Sequence, residues 1–264
     1  MNDRTVHRWQ TGGASVIGAA HKRRNMPNQD AWIALAEGET DDQFLIAVAD
    51  GHGGTPYFRS DVGALLAIEA LRELLEWSVD DRAQEQAIKQ DLVTLWRRLV
   101  KEHVAQHPYS QSPVGGFFEP YGTTLVAVAG GADFSILLQI GDGDLVLGYP
   151  DGTVSRPFPG DRLLGEQTFS LCMDEAPAYI KYRVFEKSDV LPDFALVATD
   201  GVSKSFVDDT TFLEVVARYR ELVASAAELR ATLAALPQWL ADVSENGSGD
   251  DATLCLASRR FAPE

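Results

Sequence analysis

Cysteine is nearly missing from this chain. Cys172 and Cys255 are the only two in 264 residues, and no Cys-x-x-Cys spacing joins them, so a disulfide framework and a thiolate metal site are both excluded. Cys255 falls inside an apolar run and reads as a small core residue. Positive charge is scarce: 23 Lys and Arg stand against 39 Asp and Glu, a formal net charge of −16. That balance argues against a nucleic-acid-binding surface and against an anionic membrane face. Apolar runs of membrane-spanning length are lacking, and the first ten residues are charged where a signal peptide needs an apolar centre. A cytoplasmic location is the expectation. Neither an internal repeat, a low-complexity tract nor a linker interrupts the chain, so one domain over residues 1–264 is expected.

What the chain does have is a set of short acidic turns beside apolar runs. Asp50-Gly51-His52-Gly53-Gly54 follows the run 44–49, and Asp200-Gly201 follows the run 194–199. Asn28-Gln29-Asp30 leads into 31–36, Gly141-Asp142-Gly143-Asp144 joins 134–140 to 145–149, and Asp250-Asp251 leads into 252–257. Any one Asp-Gly turn needs no functional explanation. Five acidic turns at the ends of apolar strands are a different matter, because their convergence would build a carboxylate pocket whose self-repulsion calls for divalent cations. Gly51, Gly53 and Gly54 also surround a histidine and lead toward a helix, which suits close approach of backbone to a ligand.

Oxygen ligands without nearby thiolates or a His-x-His pair favour hard ions such as Mg²⁺ or Mn²⁺ over zinc. Two such ions sharing Asp50 would lie about 3.5–4 Å apart and turn a bridging water into a hydroxide nucleophile. An arginine fork would hold phosphate oxygens. His52 is the candidate donor of the proton that a leaving alkoxide needs, since histidine titrates near neutrality and adjoining carboxylates favour its charged form.

These residues resemble the metal-dependent serine/threonine protein phosphatases of type 2C, in particular a bacterial branch, over residues 18–257 in order. The stretch 49–54 is the most specific element, and Tyr121-Gly122-Thr123-Thr124 fits the family's Gly-Thr-Thr element. The resemblance implies that Asp50 bridges two core metals with the Gly51 carbonyl beside it, and that Asp200 and Asp250 hold one of them. It implies that Asp30 acts largely through metal-bound water, and that Asp142 shares a weaker third ion with Asp200. The phosphate-gripping arginine falls at Arg23 or Arg24, with Arg23 favoured by its spacing from Asp30. Gln29, Asp251 and the pair Gly143-Asp144 depart from the commonest pattern.

Strands are expected at 14–18, 31–36, 44–49, within 123–149 and at 252–257. Helices are expected over 57–77, with Leu71, Leu74 and Leu75 on one face, over 83–104, with Ile88, Leu92, Leu95 and Leu99 in one stripe, and over 212–243, broken at Pro237. That order suits an α+β fold, the four-layer α-β-β-α sandwich of the resemblance, with two stacked, mainly antiparallel sheets flanked by helices. The aromatic segment 109–121 reads as a packed connector ahead of a substrate lip, and Arg156, Arg162 and Arg183 are left without a site role. The expected reaction is hydrolysis of phosphoserine and phosphothreonine in a phosphorylated protein substrate. A two-metal phosphoesterase for a small molecule, and a silent relative that binds phosphoproteins, are the rivals.

Overall fold

The computed structural model describes residues 8–37, 43–78, 84–158 and 168–259; Arg162 lies outside them. In chain order the elements are β1 (Gln10–Val16), α1 (Ala19–Arg24), β2 (Asp30–Glu37), β3 (Gln43–Asp50), α2 (Ser60–Ser78), α3 (Glu85–Gln106), β4 (Leu125–Gly130), β5 (Phe134–Ile140), β6 (Asp144–Gly148) and β7 (Val154–Ser155). There follow α4 (Ala176–Tyr179), β8 (Lys181–Glu186), β9 (Phe194–Ala198), α5 (Asp200–Ser203), α6 (Asp209–Leu222), α7 (Ala226–Asn246) and β10 (Ala252–Ser258). Two five-stranded sheets form, ordered β1-β10-β9-β6-β7 and β2-β3-β4-β5-β8, with antiparallel pairing throughout. This is the four-layer α+β architecture expected.

The layers follow from side-chain alternation. In β3, Phe44, Ile46 and Val48 point between the sheets, where they meet Val126, Leu145 and Val197. Leu45, Ala47 and Ala49 point the other way, under α2 and α3. A strand buried on both faces reads as a continuous apolar run, which is why 44–49 shows no alternation. A third core packs α6 and α7 on the sheet containing β10. Among the described residues, no helix is long and apolar enough to cross a membrane.

Three local expectations need correction. The strand foreseen at 14–18 runs earlier, from Gln10 through Val16, because Gly12 and Gly13 pair with Leu256 and Cys255 despite their poor strand propensity. The chain then turns into α1, which was not foreseen. On α3 the buried stripe centres on Ile88, Leu92, Trp96 and Val100, with Leu95 and Leu99 only half-buried. Trp96 is held there by donating from its indole to the Gly63 carbonyl at 3.0 Å.

Pro237 does not break the C-terminal helix; it lies within α7 on an exposed side, where a carbonyl left unpaired can be hydrated, while Leu236 and Leu240 stay buried. The break comes earlier, at Ser225. Its hydroxyl accepts from the Glu228 amide at 3.2 Å and donates to the Glu228 carboxylate at 2.8 Å, a side-chain N-cap within a Ser-x-x-Glu sequence.

The segment 109–121 packs at its two ends, while residues 110–112 and 114–117 are exposed. The Arg59 guanidinium lies 4.9 Å from the Tyr109 ring centre and donates to the Tyr121 hydroxyl at 2.8 Å, and Tyr109 donates to the Phe117 carbonyl at 2.7 Å.

Candidate active site

Both sheets end their acidic turns at one edge. Asp30 opens β2 directly opposite Asp50, the last residue of β3. Like charges facing each other across a strand pair are destabilising unless a cation intervenes. Asp142 precedes β6, Asp200 follows β9 and Asp250 precedes β10, and these three strands share the neighbouring sheet. The result is a cleft of about 1050 Å³ lined by Asp50, Gly51, His52, Asp142, Asp200 and Asp250.

The Gly-Thr-Thr element fixes Asp50. The Thr124 amide and Thr123 hydroxyl each donate to the Asp50 carbonyl at 2.9 Å, so the carboxylate is aimed by a backbone clamp. The His52 amide donates to the Gly122 carbonyl at 3.0 Å. Gly51 sits so close to its neighbours that an added Cβ would lie 2.6 Å from the Ser60 carbonyl oxygen, and Gly54 turns the chain with φ near 100°.

Asp30 lies beneath the cleft. Its Oδ2 accepts from Thr253 at 2.6 Å and Thr199 at 2.8 Å, hydroxyls of the adjacent sheet. Gln29, where a glutamate is commoner, turns its amide nitrogen to Ser60 at 2.5 Å and to the His52 carbonyl. Asp251 is an organising group. Its oxygens accept from the Gly18 amide at 2.6 Å, the Gln29 amide at 2.7 Å and His21 Nδ1 at 2.9 Å. An asparagine there would present a donor to one of these donors. Donor atoms of His21, Asp250 and Asp251 lie within 4.8 Å of one another, but with Asp251 engaged on both oxygens it is Asp250 that faces the cleft.

Burial and crowding oppose ionisation here. The Asp50 carboxyl is pushed well above the usual range by desolvation and by the charges of Asp30, Asp200, Asp250 and Asp142. Asp30 is raised as well, chiefly by desolvation, against the hydroxyl of Thr253. Asp200 rises to about 6, through desolvation and then Asp142, although Lys204 opposes the shift. Each carboxyl thus binds its proton more tightly folded than unfolded.

Stability from these groups is therefore fully present below the unfolded value near 4, and is lost as pH rises through about 6. Chelator-treated protein should melt at a lower temperature at pH 7 than at pH 5, and Asp200→Asn should flatten that slope. A steeper or unchanged slope in the variant, by calorimetry, would contradict the electrostatic account.

Three placements differ from the sequence reading or were missing from it. Arg24 lines the cleft and Arg23 does not, because they project in different directions from α1. His52 is not held charged: burial lowers it to about 4, outweighing the attraction of Asp142. Arg156, left without a site role in the sequence reading, is committed to Asp144 and Asp209. Lys204 was missed, although Asp200 and Lys204 stand four apart at a helix start and so share a face. Its ammonium contacts Asp200 Oδ2 and lies 3.7 Å from Asp142 Oδ2.

Comparison with known proteins agrees with this fold. No curated protein matches by sequence. The catalytic domain of the serine/threonine phosphatase PstP, solved with two manganese ions, superposes with a TM-score of 0.63 at 20% identity, covering 95% of this chain and 97% of that one. Mycobacterium tuberculosis PstP/Ppp superposes with a TM-score of 0.60 at 22% identity, covering 95% and 98%. PppA, a regulatory component of the T6SS in Pseudomonas aeruginosa, gives 0.62 at 21%, covering 95% and 97%. The family model described as Protein phosphatase 2C matches residues 17–241, most of the chain and all the acidic turns but the last. The chain therefore belongs to the protein phosphatase 2C family.

Proposed function

We propose that this enzyme hydrolyses phosphoserine and phosphothreonine in protein substrates with two Mn²⁺ or Mg²⁺ ions. The observation that carries this reading is the convergence of Asp50, Asp200 and Asp250 on one cleft, each beside a strand end, in a field that drives two of them toward protonation unless cations enter. Oxygen donors in that number suit hard divalent ions. Asp50 would serve both ions, with the Gly51 carbonyl beside it and Asp200 and Asp250 completing the set, while Asp30 would act from below through water. Bound ions supply an activated water and draw charge from the phosphoryl oxygens.

The chain's own groups do the rest. Arg24, which replaces Arg23 in this role, presents a guanidinium at the rim, where its planar fork can hold phosphoryl oxygens. His52, backed edge-on by Tyr57 with ring centres 5.0 Å apart, gives a proton to the departing seryl or threonyl oxygen. Tyr57, Phe169, Met173 and Tyr179 form an apolar wall along the same cleft. That wall suits the flanking side chains of a peptide better than a bare sugar or nucleotide phosphate, and so favours protein substrates over small phosphate esters.

Hydrolysis of a phosphothreonine peptide should require Mn²⁺ or Mg²⁺, vanish with chelator and return on readdition. Undiminished turnover by metal-stripped enzyme would overturn the reading. A preference for small phosphate esters over every phosphopeptide would assign the same site to the small-molecule class.

A further inference from the structure

Resting on the two-ion reading, we infer that Lys204 occupies the place of a third divalent ion, so that this enzyme works with two metals and a built-in ammonium. The pair Asp142 and Asp200 is the natural seat for a third cation, and its fit can be judged from the structure. Lys204 follows the single turn of α5, and its backbone amide donates to the Asp200 carbonyl at 2.8 Å. From there the side chain doubles back along the turn. Its Nζ meets Asp200 Oδ2 and lies 3.7 Å from Asp142 Oδ2, within the lining of the metal cleft.

A third divalent ion bridging those carboxylates would take the oxygens that the ammonium now contacts, and would face a like charge at contact distance. It does not fit while Lys204 is in place. The side chain is 58% exposed, so it can swing into water, but doing so gives up a charge-assisted bond in a cluster of uncompensated carboxylates. The consequence is a site set against a third ion, with its charge supplied by the chain.

This also assigns Lys204 a position next to the phosphoryl group, because the cleft that would admit the substrate is the one its ammonium lines. An ammonium differs from an ion with its waters in one testable respect: it is never titrated by free metal.

The test is the number of Mn²⁺ ions bound, read by calorimetry and by the electron paramagnetic resonance signal of free Mn²⁺. The proteins compared are the wild type, Asp142→Asn, Lys204→Ala, the length-preserving Lys204→Gln, and Lys204→Ala combined with Asp142→Asn. The wild type should bind two ions and no third up to about 1 mM, the range of weak divalent sites. Both single variants should gain a third ion at least about tenfold tighter than any in the wild type, and the added Asp142→Asn should remove it. Turnover of the single variants should in parallel become dependent on millimolar Mn²⁺.

A third ion in the wild type that Asp142→Asn abolishes would overturn the inference and leave the two-ion reading intact. Single variants that remain at two ions would overturn it as well. No tight ions in the wild type would bring down the two-ion reading and the inference together.

Discussion

Asp50→Asn should reduce phosphothreonine-peptide turnover by more than about 10⁴-fold while raising the melting temperature of the metal-free protein. The two halves have one cause. Asp50 faces Asp30 across β2 and β3 and is crowded by Asp200, Asp250 and Asp142, so its charge is unfavourable whenever no cation is present. Asparagine keeps the shape and most hydrogen bonds but removes that charge, which relieves repulsion in the metal-free protein and takes away the carboxylate proposed to hold both ions.

If the relief is worth about 1 kcal/mol, a chain of this size should gain roughly 2–4 °C. The variant should also lack the stabilisation by added Mn²⁺ expected of the wild type, since a ligand stabilises only the state that binds it. Calorimetry with and without Mn²⁺, beside peptide kinetics, measures all three effects. An Asp50→Asn protein that melts lower without metal, or still binds two ions tightly, would mean that Asp50 is a structural turn residue.

The carboxylates were legible in the sequence because each ends or begins an apolar run, and a strand end is a place from which a side chain can be aimed. The layers were legible for a related reason, since the unbroken run 44–49 has to be covered on both faces. What escaped was direction. Arg23 and Arg24 are adjacent in sequence, but on α1 neighbouring side chains diverge by a large angle, so spacing from Asp30 could not choose between them.

His52 escaped in another way. Adjacent acidic residues in the sequence suggested an imidazolium, but desolvation in the folded cleft is the larger influence and acts in the opposite sense. Lys204 carried a readable signal, the four-residue step from Asp200, whose meaning depended on the turn of α5 that joins them. Likewise Pro237 marks a helix break on local chemistry alone, and the buried Leu236 and Leu240 override it.

His52→Ala should slow hydrolysis of a phosphothreonine peptide by about 10²–10⁴-fold, and that of p-nitrophenyl phosphate by less than about tenfold. The difference isolates proton donation, because a nitrophenolate departs without a proton whereas a threonyl oxygen does not. In the ion-free cleft burial holds the ring near 4, so at neutral pH it is mostly uncharged. The negative phosphoryl group of an entering substrate favours the imidazolium, and lower pH favours it further. The peptide rate of the wild type, relative to that of His52→Ala at the same pH, should therefore climb as pH falls from 8 toward 6.

A packing role predicts otherwise. His52 meets Tyr57 edge-on, and its amide holds the Gly122 carbonyl, so a ring that merely supports the loop would harm both substrates equally and show no pH-dependent ratio. The backbone bond survives in alanine, which leaves the clamp on Asp50 in place and Mn²⁺ binding intact. Unequal losses with retained metal binding assign the proton to His52, and equal losses assign the ring to the wall of the cleft.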